Sequence, residues 1–134
     1  MGNQSAVAVS AVPTNVSTET AIATSVATNY NNPAGQGNEI GGTVNITAGT
    51  GTTAINIKVR AGAGTGGAVI GPAAGMNHTL AAGNSASITF DVLDPTVTPQ
   101  NAQQYTVTVT QTGGTGAGTV NYACLYVQPA TAAP

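Results

Sequence analysis

The chain has 134 residues, of which 41% are hydrophobic and only 4% charged, with a formal net charge of -2. That length suits one domain of ordinary size, and the charged fraction compares with roughly a quarter in an average soluble domain. Lys58 and Arg60 are the whole positive supply, which excludes a phosphate-binding surface for nucleic acid and a basic membrane-surface patch. No run approaches the ~18 consecutive apolar residues of a membrane span. A single histidine and a single cysteine leave almost no material for catalysis. The expectation is a protein that is not an enzyme, with no catalytic residues, no cofactor and no metal.

The first 16 residues read as a contact arm or edge strand, set apart from a β-sandwich domain over 17–134. Residues 1–10 carry no positive charge and no apolar stretch of the secretory kind. The opening Met1-Gly2 nears a myristoylation pattern, but Ala6 stands where Ser or Thr is required. Within a weak strand signal over 6–12, Val7, Val9 and Val12 are the candidate interface residues. They would add a strand to a neighbour's edge or lie along a partner's groove.

Beyond the arm, period-two alternation dominates, broken by glycine and proline clusters. Residues 20–30 read as strand rather than helix because Ile22, Thr24, Val26, Thr28 and Tyr30 fall at spacing two. Weaker strands are expected over 39–48, 68–70 and 76–80. Over 53–61, Ile55, Ile57 and Val59 face one way and Asn56, Lys58 and Arg60 the other. Residues 85–93 repeat the logic, with Ile88, Phe90 and Val92 inward and Ser87, Thr89 and Asp91 outward. Residues 94–104 read as a long crossing. Tyr105, Val107 and Val109 then alternate with Thr106, Thr108 and Thr110, and 113–118 reads as a hairpin loop. In the last run, Tyr122, Cys124 and Tyr126 oppose Ala123, Leu125 and Val127. With both faces partly apolar, this strand is expected to be central or covered on both sides.

No segment has helical periodicity and no fixed repeat exists, so the fold expected is all-β: a single-domain, jelly-roll-like β-sandwich. The alternative is an immunoglobulin-like sandwich, because Tyr105 opens its strand as the corner tyrosine does in those domains. Val107 stands where antibody domains carry a cysteine.

The remaining motifs read as structural. Residues 62–67 match G-x-G-x-x-G and follow a strand, yet the next residues, Ala68-Val69-Ile70-Gly71-Pro72, cannot open the helix that a dinucleotide site needs. A plain strand connection is expected. The Asn15, Asn45 and Asn77 sequons are what chance yields in a chain this rich in Asn, Ser and Thr. His78, on one face with Met76 and Leu80, reads as a packed histidine. Asp91 reads as a solvent-side partner for Lys58 or Arg60 on neighbouring strands, Asp94 before Pro95 as a turn residue, and Cys124 as a small core residue. A calcium site at these aspartates and an ice-binding threonine row at 106, 108 and 110 are the sharper alternatives.

Low charge removes the self-repulsion that keeps monomers apart, and Thr, Ala, Gly and Asn surfaces cost little to desolvate. A core with three leucines and one phenylalanine would also benefit from burial between subunits. These features, with the Met1 start and the closing pair Tyr105-Thr-Val-Thr-Val-Thr, glycine-rich connection, Thr119-Val-Asn-Tyr-Ala-Cys-Leu-Tyr-Val, resemble small β-sandwich structural proteins of virus particles. That class comprises the decoration or cement, spike and minor capsid proteins of bacterial and archaeal viruses. The resemblance implies a non-enzymatic virion protein on the capsid surface. It would be a homo-oligomer, commonly a trimer, bound to a larger lattice such as a major capsid protein. The alternatives are a subunit of an extracellular fibre, pilus or surface layer, and, third, a carbohydrate- or ice-binding sandwich; a carbohydrate site wants exposed aromatics, and at least two of the four tyrosines are assigned to the core.

Overall fold

A computed structural model describes residues 4–8, 12–13, 18–25, 37–95 and 103–129. Its strands are β1 (Gln4–Ala8), β2 (Val12–Pro13), β3 (Thr20–Thr24), β4 (Asn38–Thr47), β5 (Thr53–Ala61), β6 (Val69–Ile70), β7 (Met76–Leu80), β8 (Ser85–Asp94), β9 (Tyr105–Gly113) and β10 (Thr119–Pro129). Two antiparallel sheets face each other. Sheet one runs β1-β10-β4-β8, with β2 also on β10; sheet two runs β3-β9-β5-β6, with β7 also on β5.

The short strands are halves of broken edges. β1 and β2 pair with successive stretches of β10, and β6 and β7 with successive stretches of β5. Counted so, eight strands lie in two four-stranded sheets, with the first beside the last, as in a jelly roll. The immunoglobulin-like alternative fails on this order. Tyr105 does bond backward through its hydroxyl, but to side chains: it donates to Asp94 Oδ2 at 2.7 Å and accepts from Asn38 Nδ2 at 3.2 Å. Asp94 is therefore a buried acceptor at the end of β8, only 3% exposed, rather than a turn residue.

β-Branched residues at alternate positions build the core between the sheets. Ile40, Val44 and Ile46 from β4 meet Ile55, Ile57 and Val59 from β5, with Ile88, Phe90 and Val92, Val107 and Val109, and Ala123, Leu125 and Val127 completing it. The residues expected inward on β5, β8 and β9 are all buried. The connection over 113–118 is not a hairpin. β9 lies in sheet two and β10 in sheet one, so the chain crosses the sandwich there. Buried Gln111 holds the crossing, donating to Gly116 O at 2.9 Å and accepting from Gly118 N at 3.0 Å. A neutral amide, with its donor and acceptor on separate atoms, supplies both bonds at once.

Candidate functional site

Residue identity and register make the outer face of sheet one the most distinctive surface. Across β10, β4 and β8 the outward side chains fall in rows. Gln128, Glu39 and Leu93 form one row; Tyr126, Gly41 and Asp91 the next; then Cys124, Thr43 and Thr89; then Tyr122, Asn45 and Ser87. A bulge between Val120 and Tyr122 sets Asn121 beside Tyr122 on this face.

The end rows are tied together by cross-strand hydrogen bonds. Asn45 donates to Ser87 Oγ at 2.9 Å, Thr47 and Ser85 hydroxyls meet at 2.6 Å, and Asn121 Nδ2 donates to Asn45 Oδ1 and Thr47 Oγ1 at 2.8 Å each. At the other end Gln128 donates to Glu39 at 2.7 Å. The two middle rows differ. Among the described residues, no side-chain hydrogen bond engages Tyr126, Asp91, Thr43 or Thr89. These four, with Gly42, Phe90 and Cys124, line an open depression of about 480 Å³.

A pair of glycines shapes this depression. A Cβ at Gly41 would fall 2.4 Å from the Tyr126 hydroxyl and 2.5 Å from its Cζ, so the phenol leans from β10 across β4. A Cβ at Gly42 would fall 2.8 Å from Phe90 Cζ on the inner side and 2.0 Å from the Cys124 carbonyl oxygen. Asp91 is pushed above the usual carboxylate range, first by partial burial and then by Glu39 nearby. The large apolar side chains left exposed among the described residues, Leu93 at 49% and Tyr122 at 39%, stand on this same face.

Several expectations change here. Cys124 is not a core residue: it points outward and is half-buried. β10 is central, but its tyrosines face outward, so the face expected to be covered is partly open. Asp91 cannot pair with Lys58 or Arg60, which belong to the other sheet. Arg60 instead makes a two-pronged bond to Glu19, Nε to Oε2 at 2.5 Å and Nη2 to Oε1 at 2.8 Å. Thr108 adds a third bond to Oε2 at 2.6 Å. The guanidinium hydrogen bond is the main cause that lowers the Glu19 carboxyl to about 2.

The threonine row on β9 is not an open ladder either. Thr106 and Thr108 are buried. The 62–67 loop folds over Thr106, whose hydroxyl donates to Gly62 O at 2.8 Å and accepts from Gly64 N at 3.1 Å. Arg60 Nη1 holds the loop's end at Gly67 O, 2.6 Å away. An ice-binding reading loses its surface there. The glycine-rich motif is a strand connection, and Gly62 and Gly64 take positive φ within it. His78 is half-buried opposite Ile55. Among the described residues no group of three or more His, Cys, Asp or Glu converges. Val7 lies opposite Cys124 and Val12 opposite Val120 in sheet one, while Val9 lies outside the described residues.

Sequence alternation could have found the outward Tyr122-Cys124-Tyr126 stripe. The depression had one legible signal, the Gly41-Gly42 pair inside an otherwise β-branched run. The Tyr105-Asp94-Asn38 cluster had a partial signal in the strand-opening position of Tyr105, but its partners Asp94 and Asn38 gave none.

No protein-family model and no curated protein sequence matches the chain. Solved structures do. A chain of the infectious bursal disease virus Gx strain superposes over 95% of this chain with a TM-score of 0.55 at 9% identity. A chain of the T13 viral particle of the same virus gives 0.54 at 9% identity over 94%. This chain spans about a third of the length of those viral chains, 33% and 30%. A looser superposition, TM-score 0.37 at 20% identity over 95% of this chain and 88% of the other, is with a chain of the disulfide-linked pili of Bacillus endospore appendages. At 9% identity the likeness to the viral chains is one of fold: the jelly-roll path described above is the path they share.

Proposed function

We propose that this protein is a non-enzymatic structural subunit of a virus particle, one that associates with itself, as a trimer, and seats on a larger protein lattice at the capsid surface. The observation that carries the reading is the combination of a jelly-roll path with an almost uncharged exterior. The path is one that chains of viral particles use. The exterior is built from side chains that bond to one another across strands: Asn45 to Ser87, Thr47 to Ser85, Asn121 to both neighbours. The rows so bonded are already internally satisfied, so covering them strands few polar groups. Residues 4–8 and 12–13 form an edge of sheet one on β10, and this N-terminal edge would serve as the contact strand of the 1–16 segment, with Val7, Val9 and Val12 as its apolar contacts.

The test is light scattering of the full-length protein over a wide concentration range, with electron microscopy of what forms. A discrete oligomer that coats a protein shell supports the reading. Open-ended filaments would replace it with a fibre or surface-layer subunit. A monomer at all concentrations that binds no shell overturns it. The arm is tested by Val7→Asp and Val9→Asp, which should weaken association while leaving the melting temperature nearly unchanged.

A further inference from the structure

We infer that the depression on the outer face of sheet one is a binding site for a neutral pyranoside. Four hydrogen-bonding side chains converge there without partners among the described residues: the Tyr126 hydroxyl, the Asp91 carboxylate and the Thr43 and Thr89 hydroxyls. The rows on either side are consumed by their own cross-strand bonds. The volume, about 480 Å³, lies within the range of small-molecule sites.

The ligand class follows from the chemistry of the lining. Asp91 can accept from both hydroxyls of a vicinal diol. The threonine hydroxyls can donate or accept, which suits further sugar hydroxyls. Gly41 has no side chain, so the Tyr126 ring lies over the strand and offers apolar surface to the C–H face of a sugar ring. Phe90 and Gly42 add an apolar floor. Anionic ligands are disfavoured, because Asp91 and Glu39 are the charges nearby and both cations of the chain lie on the other sheet. A primary ammonium could donate to Asp91 and to the threonine hydroxyls, so methylammonium is the probe that separates a cation site from a sugar site.

The depression also separates the tyrosines by role. Tyr126 lines it, whereas Tyr122, though the more open of the two, does not. A sticky aromatic face would use both; a shaped site uses one.

The experiment is saturation-transfer NMR and calorimetry on the full-length protein. The probes are methyl glycosides of the common hexoses and N-acetylhexosamines, short neutral oligosaccharides, and methylammonium and inorganic phosphate as charged probes. At least one neutral sugar should bind, with a dissociation constant on the order of 1 mM for a single ring. Gly41→Ala, whose new methyl displaces only the far end of Tyr126, should weaken it about tenfold, as should Asp91→Ala. Tyr122→Ala should leave it unchanged, and melting temperatures check that all three variants fold. Failure of every neutral sugar overturns the inference. So does sugar binding that survives both Gly41→Ala and Asp91→Ala, or that falls with Tyr122→Ala instead. Binding of methylammonium alone would reassign the site to a cation.

Discussion

Tyr105 shows how one side chain can join the two sheets. Its ring is fully buried, and its hydroxyl links Asp94 at the end of β8 to Asn38 at the start of β4. Burial, above all, pushes the phenol well above its usual range, so it stays a neutral donor. Tyr105→Phe removes a bond to a buried carboxylate and should cost about 1–3 kcal/mol in urea unfolding, with the strand spectrum unchanged. Glu19 makes the second residue-scale prediction. Its folded value of about 2, set chiefly by Arg60, lies below the ordinary glutamate value of 4.5. A depressed carboxylate contributes stability above its unfolded value and loses it as pH falls through the folded one. Stability should therefore decline between about pH 4.5 and pH 2, by about 1–2 kcal/mol after allowance for partial solvation. In Glu19→Gln that decline should be absent. Asp91, shifted the opposite way, gives a slope of opposite sign, which both proteins share.

Strand β4 carries the element-scale lesson. It is the second central strand of sheet one, flanked by β10 and β8 along its length, and it holds adjacent glycines with opposite neighbours. The Gly41 side faces a flexible phenol; the Gly42 side faces backbone, the Cys124 carbonyl oxygen. Gly41→Ala should change the melting temperature little. Gly42→Ala forces β4 and β10 apart and should destabilise by about 3 kcal/mol, at the upper end of overpacking effects. Thermal unfolding of the two variants side by side checks the contrast, and equal losses would refute it. The crossings obey a similar rule. A connection that spans two sheets needs its backbone groups satisfied by something other than a ladder, and Gln111 does this for 113–118.

For the whole molecule, the decisive quantity is the scarcity of charge. Six charged side chains are further reduced in reach by pairing: Arg60 is bound to Glu19, Glu39 to Gln128, and Asp94 is buried. Contacts made by such a body are van der Waals contacts and neutral hydrogen bonds, which ions do not screen. Association with itself or with a shell should therefore change less than about threefold between low salt and roughly 1 M salt, where the Debye length falls to ~3 Å. Light scattering across a salt series measures this. A steep loss of association with added salt would show that the few charges, and not the neutral faces, hold the assembly.

Local chemistry alone determined the strands. Ile55-Ile57-Val59 and Ile88-Phe90-Val92 could be assigned a buried face because a pleated backbone turns alternate side chains to opposite sides, whatever the fold. The absence of helix among the described residues and the two-sheet class followed from the same period. Tertiary structure alone decided which sheet each strand joins, and that overturned the pairing of Asp91 with Arg60, the hairpin at 113–118 and the core placement of Cys124. A strand's alternation says which residues share a face, but not whether that face meets the other sheet or solvent. On β10 both faces are apolar enough to be core, and only its position between β1 and β4 turns Ala123, Leu125 and Val127 inward. The candidate site depended on that choice: Tyr126 and Asp91 are 35 residues apart in sequence, and they share a row only because Gly41 lies between them in the sheet.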